Sequence, residues 1–368
     1  MKIKTKNRTL TKRGVIWLGQ TCNQKCYFCY FLNIINNPKH PLHDFMEIEK
    51  AKYICDVLRN LYKNDSIDIQ GGEPTIYPDI YELCKHCREI GLKPTLITNG
   101  LILGRDGILE KYIENGIDDF LVSLHGIGDS HDEAVGVRGS FDKIFKSIQT
   151  MKDLKIPFRI NCTMSKPVIP TMLEVAKTAK EMGAYVVNYI AFNPFGREMG
   201  TRTNQNVPRY SEIKDTIQEC VKYLENNDIE SNVRYVPLCI QNNLDILKNY
   251  YNYPQLSYDH HEWDFASWRW SGCTEQKMKG INNTTEPKGI PRNINEYYVE
   301  ESKIHAKKCR YNYLKKCDSC SLKNICDGVH GDYYSLFGDS EINPIKLDRS
   351  ITDPKHFIKE QIKIEDSL

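Results

Sequence analysis

The feature that most constrains this chain is a unit recurring along its first half: an amphipathic helical stretch, a glycine near its end, then an apolar strand-like run. It reads REIGLKPTLIT (88–98), IENGIDDFLVSLH (113–125) and KEMGAYVVNYIAF (180–192). FDKIFKSIQTMKDLKIPFRINCTM (141–164) follows the same plan without the glycine, and its Phe141, Ile144, Phe145, Ile148 and Met151 share one helical face. Glycine just past a helix is a C-cap signal. Strands are expected to begin near residues 15, 67, 95, 119, 158 and 185, with a long helix at about 46–63. Spacings of about 25 to 50 residues suit strand–helix units that cross over to a parallel neighbour. Six such units make an α/β domain ending near residue 195, as an open sheet or a partly closed barrel.

In folds of this kind binding groups gather at the C-terminal ends of the strands. The segment TCNQKCYFC, the turn GGEP (71–74), Thr98-Asn99-Gly100, Ser123-Leu124-His125 and Asn193-Pro194-Phe195-Gly196 all fall there. Beyond residue 200 the periodicity weakens. A helix at about 211–226 is expected, then a Cys-dense module. The division read from the pattern is 1–200, a linking helix region 201–234, a second module 235–345 and a polar tail 346–368.

The chain holds 14 cysteines among 368 residues. Its basic leader has no apolar h-region and no later run reaches membrane-spanning length, so a cytoplasmic protein with reduced thiols is expected rather than a disulfide framework. With this many cysteines a lone CxxC is weak, whereas CxxxCxxC at Cys22, Cys26 and Cys29 has an expectation of about 0.02 by chance. Cys84 and Cys87 lie on a helical stripe with Ile80, Leu83 and Ile90 and read as core, as do Cys55, Cys162 and Cys220. Three thiolates on a short loop suit an iron–sulfur cluster or a catalytic zinc. A [4Fe–4S] cluster normally takes four Cys ligands, so three leave one iron open.

TCNQKCYFC followed by GGEP after the second strand resembles the radical S-adenosylmethionine (SAM) superfamily over about residues 14–196. The resemblance implies a partial (β/α)6 TIM-like barrel whose Cys22, Cys26 and Cys29 hold a [4Fe–4S] cluster. Its fourth iron would chelate the amino and carboxylate groups of SAM. One electron from the reduced cluster would then cleave SAM to methionine and a 5′-deoxyadenosyl radical, which abstracts a hydrogen from substrate. Gly71 and Gly72 would let backbone approach the methionine ammonium, Glu73 would add charge to the same contact, and Pro74 would stiffen the turn. Phe28 corresponds to the aromatic position near the adenine. Asn99, Ser123 and Arg138 are further SAM-binding candidates, each alternatively a turn or loop residue. His125 stands where the family often has Asp.

Cys309, Cys317, Cys320 and Cys326 occur in CRYNYLKKCDSCSLKNIC. This stretch resembles the auxiliary-cluster region of SPASM and twitch domains, which implies one auxiliary [4Fe–4S] cluster on Cys317, Cys320 and Cys326. A full SPASM pattern would continue with Cys where His330 stands. The fourth ligand is Cys239, in RYVPLC, or Cys309, and four-thiolate structural zinc is the alternative occupant. Cys273 is a candidate catalytic hydrogen-atom donor, and HHEWDFASWRW (260–270) a candidate lid or packing segment.

The function implied is reductive SAM cleavage and hydrogen abstraction from a small molecule: a sugar, nucleotide or cofactor precursor undergoing epimerisation, dehydrogenation or rearrangement. A ribosomal-peptide maturase is the alternative, and a zinc-binding, RNA-associated protein the rival of another class. A reductant such as flavodoxin or ferredoxin is the expected partner. A formal charge of +2 gives no electrostatic footprint for nucleic acid, and no membrane partner is expected.

Overall fold

The computed structural model describes residues 9–10, 13–60, 64–117, 119–192, 202–252, 311–353, 356–357 and 362–363. Eight strands form one open sheet in chain order: β1 (Arg13–Trp17), β2 (Ser66–Gln70), β3 (Lys93–Thr98), β4 (Asp119–Ser123), β5 (Phe158–Met164), β6 (Val186–Ala191), β7 (Glu230–Arg234) and β8 (Tyr250–Tyr251). Every neighbouring pair is parallel. β1 and β8 are the two edges, so the curled sheet is a partial barrel and not a closed one.

The crossovers are α1 (Ile48–Asn60), α2 (Ile80–Glu89), α3 (Ile108–Glu114), α4 (Asp129–Val135), α5 (Ser140–Asp153), α6 (Met172–Met182) and α7 (Tyr210–Glu225). The first six parallel returns use such helices, whose apolar stripes cover the sheet, and the return from β7 to β8 runs through two 3-10 turns. On α2 the buried residues are Ile80, Leu83, Cys84 and Cys87. Cys55, Cys162 and Cys220 are fully buried too, so these five thiols act as small core side chains.

All six expected strands are present, and α7 occupies the expected helix. The helix that lacks a terminal glycine closes instead on Lys155, at φ 56°, a left-handed conformation costing a non-glycine residue roughly 1 kcal/mol. The sheet does not stop near residue 195. β7 falls within 201–234 and β8 within 235–345, and both extend the barrel.

The C-terminal module follows. β9 (Tyr311–Asn312) pairs antiparallel with β10 (Val329–His330), which leads into α8 (Gly331–Phe337). It docks on the start of α7: Tyr333 Oη accepts from Tyr210 N–H at 2.8 Å, and the two rings stack 3.9 Å apart. No helix among the described residues is long and apolar enough to cross a membrane.

Candidate functional site

The site begins where β1 ends. Leu18 N–H donates to Gln70 O, Gly72 N–H to Gly19 O and Glu73 N–H to Thr21 O, all at 2.8–2.9 Å. The backbone leading into Cys22 is thereby laid along the GGEP turn. A Cβ on Gly71 would lie 2.5 Å from Gly19 O, and one on Gly72 only 2.0 Å from Thr21 O. Both glycines are thus required by contact between two protein segments. This is a different cause from the ligand approach expected of them.

Glu73 is 1% exposed and joins two turns. Its Oε1 accepts from Thr75 N (3.0 Å), Thr75 Oγ1 (2.5 Å) and Thr98 Oγ1 (2.7 Å), and its Oε2 from Asn99 N (2.7 Å). Burial pushes this carboxyl up, and the four hydrogen bonds oppose that. Oε1 is saturated, so only Oε2 retains acceptor capacity for a ligand. Pro74 opens the short 3-10 turn that Glu73 caps. The Asn99 side chain is also engaged, with Nδ2 donating to Asn23 Oδ1 (2.6 Å) and Oδ1 accepting from Leu101 N (3.1 Å). Asn99 therefore ties β3 to the cysteine loop.

The loop is held from the opposite side by the α4–α5 junction. Lys25 N–H donates to Val135 O (2.9 Å) and Gln24 Nε2 to Ser140 Oγ (2.8 Å). Cys22, Cys26 and Cys29 are partly buried. Backbone N–H groups already point at two of the sulfurs: Gln24 N at Cys22 Sγ and Phe31 N at Cys29 Sγ, both at 3.4 Å. Burial pushes the Cys22 thiol up to about 12 and raises the other two. Cys22 and Cys29 further raise Cys26 by their nearby charge. Three thiols so placed ionise only against a cation. Among the described residues no His, Cys, Asp or Glu group is gathered to hold a single metal ion. Three thiolates on one short loop are the donor set of a [4Fe–4S] cluster with one iron left open.

Beside the loop, the Phe28 ring meets His125 edge-on at 4.7 Å. His125 is buried at the end of β4, its Nδ1 accepting from Thr163 N–H (3.0 Å), and burial lowers its pKa well below the ordinary value. It is therefore a neutral imidazole with its proton on Nε2. Ser123 is half-buried at the same strand end.

A profile of the radical SAM superfamily matches residues 18–170. These residues are a radical SAM domain. The chain is 26% identical over 345 residues to an AdoMet-dependent heme synthase of Methanosarcina barkeri, covering 90% of this chain and 95% of that one. It is 24% identical over 241 residues to a probable GTP 3',8-cyclase of Sulfurisphaera tokodaii, covering 64% of this chain and 72% of the relative. Among solved structures, Streptococcus suis SuiB bound to S-adenosylmethionine aligns with 61% of this chain and 50% of its own at 20% identity, with a TM-score of 0.48.

The radical SAM domain brings Cys22, Cys26, Cys29, Phe28, Gly71, Gly72, Glu73 and Asn99 together. Arg138 is exposed in the loop between α4 and α5 and is not drawn into that network. Behind the domain, Cys239, Cys317, Cys320 and Cys326 line one cavity with Tyr313, Leu322, Lys323 and Ile342. Its volume is about 370 Å³ with the open mouth included. The charge of Cys239 acts on Cys326, and those of Cys317 and Cys320 act on Cys239. His330 does not join them; its Nδ1 caps α8 by accepting from Asp332 N–H (3.2 Å). Cys273, Cys309 and the segments 193–196 and 260–270 lie outside the described residues.

Two features of the site escaped the sequence reading. One is the Gln24–Ser140 contact. The other is Arg202, whose Nη2 donates to Phe28 O (2.6 Å) and Cys29 O (3.0 Å). Neither belongs to a spaced motif, so no local signal could have disclosed them.

Proposed function

We propose that this protein binds a [4Fe–4S] cluster on Cys22, Cys26 and Cys29 and uses it on SAM to act on a small-molecule cofactor precursor. The observation that carries the reading is the cysteine loop itself. It is pinned at the C-terminal end of a parallel sheet by the paired glycines, by Glu73 through Asn99, and by Ser140. When bound, the cluster supplies the electron for homolytic cleavage of SAM and so for hydrogen-atom abstraction from a substrate. The chain's own residues hold and orient. Gly71 and Gly72 keep the loop against β2, the open acceptor of Glu73 lies beside it, and Phe28 offers an aromatic face for the adenine. The edge of that ring is fixed by neutral His125. Ser123 supplies a hydroxyl at the same strand end.

The near end-to-end alignment with a protein named as a heme synthase favours a tetrapyrrole precursor as the substrate class. The shorter alignment with a named GTP cyclase favours a nucleotide instead. Cys239, Cys317, Cys320 and Cys326 would ligate a second [4Fe–4S] cluster completely. A site with no open iron suits electron transfer rather than substrate binding.

The test is anaerobic reconstitution, reduction with dithionite, and measurement of 5′-deoxyadenosine, with and without an iron porphyrin or GTP. Wild type should form it, and faster with the true substrate class. Cys26→Ala should form none. Production by that variant at the wild-type rate would refute the cluster assignment, and colourless protein with stoichiometric zinc would refute iron altogether.

A further inference from the structure

Immediately beyond β6 the chain places Phe192 and, ten residues on, Arg202 against the cysteine loop. Arg202 is 8% exposed, and its guanidinium lies over the Phe192 ring, 4.4 Å from its centroid. Its Nη2 donates to two consecutive loop carbonyls, Phe28 O and Cys29 O. It also stands 5.6 Å from the centre of the Tyr30 ring. Such an arrangement buries a fixed positive charge beside the third cysteine of the triple. Burial of a cation is costly, and here its lost hydration is replaced by carbonyl oxygens and an aromatic face.

We propose that Arg202 is a positioning residue that sets the reduction potential of the cluster held by this loop. The inference rests on the cluster reading above. Accepting one electron from an external donor of the flavodoxin or ferredoxin class adds one negative charge to the cluster, and no proton or bond is exchanged. A nearby buried cation stabilises the reduced form over the oxidised one, so it raises the potential. Loss of the charge should make the cluster harder to reduce. The two hydrogen bonds from Nη2 hold the Phe28–Cys29 and Cys29–Tyr30 peptides in place.

The experiment compares anaerobically purified wild type, Arg202→Gln and Arg202→Lys by iron content and by EPR-monitored redox titration. The signal followed is the one whose shape changes when SAM is added, which separates it from any second cluster. Absence of such a signal in wild type would refute the cluster reading and not this inference. With the signal present, Arg202→Gln should shift its midpoint downward and leave less reduced cluster at a fixed poise. Arg202→Lys, which keeps the charge and gives up the fork, should stay near wild type. A wild-type midpoint in Arg202→Gln would overturn the proposal. If the Gln variant loads no iron, the Lys variant decides: loading at the wild-type midpoint supports the charge role, and failure to load, or a lowered midpoint, overturns it.

Discussion

At the scale of single residues, Glu73 shows how one carboxylate organises a site without facing solvent. Four donors converge on it from Thr75, Thr98 and Asn99. In Glu73→Gln one oxygen becomes an NH2 group. The amide oxygen can replace Oε1, which accepts three of the four bonds, and the NH2 then confronts Asn99 N–H. Two donors face each other in a buried place, at a cost of about 1–3 kcal/mol. The expected outcome is a lower melting temperature together with weaker iron retention, because Asn99 carries the strain on to Asn23. Thermal unfolding and iron assay on the same preparation check it. Unchanged melting would show that the carboxylate does not hold these turns.

At the scale of elements, the α4–α5 junction grips the cysteine loop through a buried histidine. His131 Nδ1 accepts from His125 N–H (3.0 Å), and its Nε2 lies 3.4 Å from Ser140 Oγ, the atom that Gln24 reaches. Asp132 caps α5 by accepting from Gly139 N–H and Phe141 N–H, and its charge only partly offsets the burial of His131. Burial lowers the His131 pKa to about 4. The unfolded chain, at its ordinary value near 6.5, binds a proton that the folded chain refuses, so stability falls as pH drops from about 6.5 toward 4. The full loss is on the order of 3 kcal/mol. His131→Asn keeps an acceptor near the Nδ1 position and removes the titration. Its melting temperature should therefore decline less than that of wild type between pH 7 and pH 5, and parallel curves would exclude His131 as the cause. The elements themselves were largely readable in the sequence. Helix–strand units with an apolar stripe identify themselves locally, which is why the six strands were placed within about two residues. β7 and β8 were not seen. The residues ESNVR of β7 are mostly polar yet largely buried, and β8 has two residues. Their place in the sheet comes from pairing, not from pattern.

At the scale of the whole molecule, the cysteine triple was legible because its spacing is a property of eight consecutive residues. The grips on it were not: Gln24 and Ser140 are 116 residues apart, and Arg202 and Phe28 are 174 apart. The fourth thiol of the second cavity was partly legible, since the sequence offered Cys239 beside Cys309. Cys239 lies in the connection between β7 and β8, whereas Cys317, Cys320 and Cys326 belong to the module behind the barrel. Proximity in sequence points to Cys309, which lies outside the described residues, whereas Cys239 lines the cavity with the other three. Metal bound there would fasten the module to the edge of the sheet, adding to the Tyr210–Tyr333 stack and to the Asp327 N–H bond to Asn252 Oδ1 (2.9 Å). Cys239→Ala should therefore lose about four irons per chain, one cubane's worth, and lower the melting temperature. It should keep the ability to form some 5′-deoxyadenosine, since the radical SAM loop is untouched. Cys309→Ala should keep its iron. Iron and sulfide assays on the two variants decide the matter: loss of iron in Cys309→Ala with retention in Cys239→Ala would move the fourth ligand out of the β7–β8 connection and remove the metal tie between module and barrel.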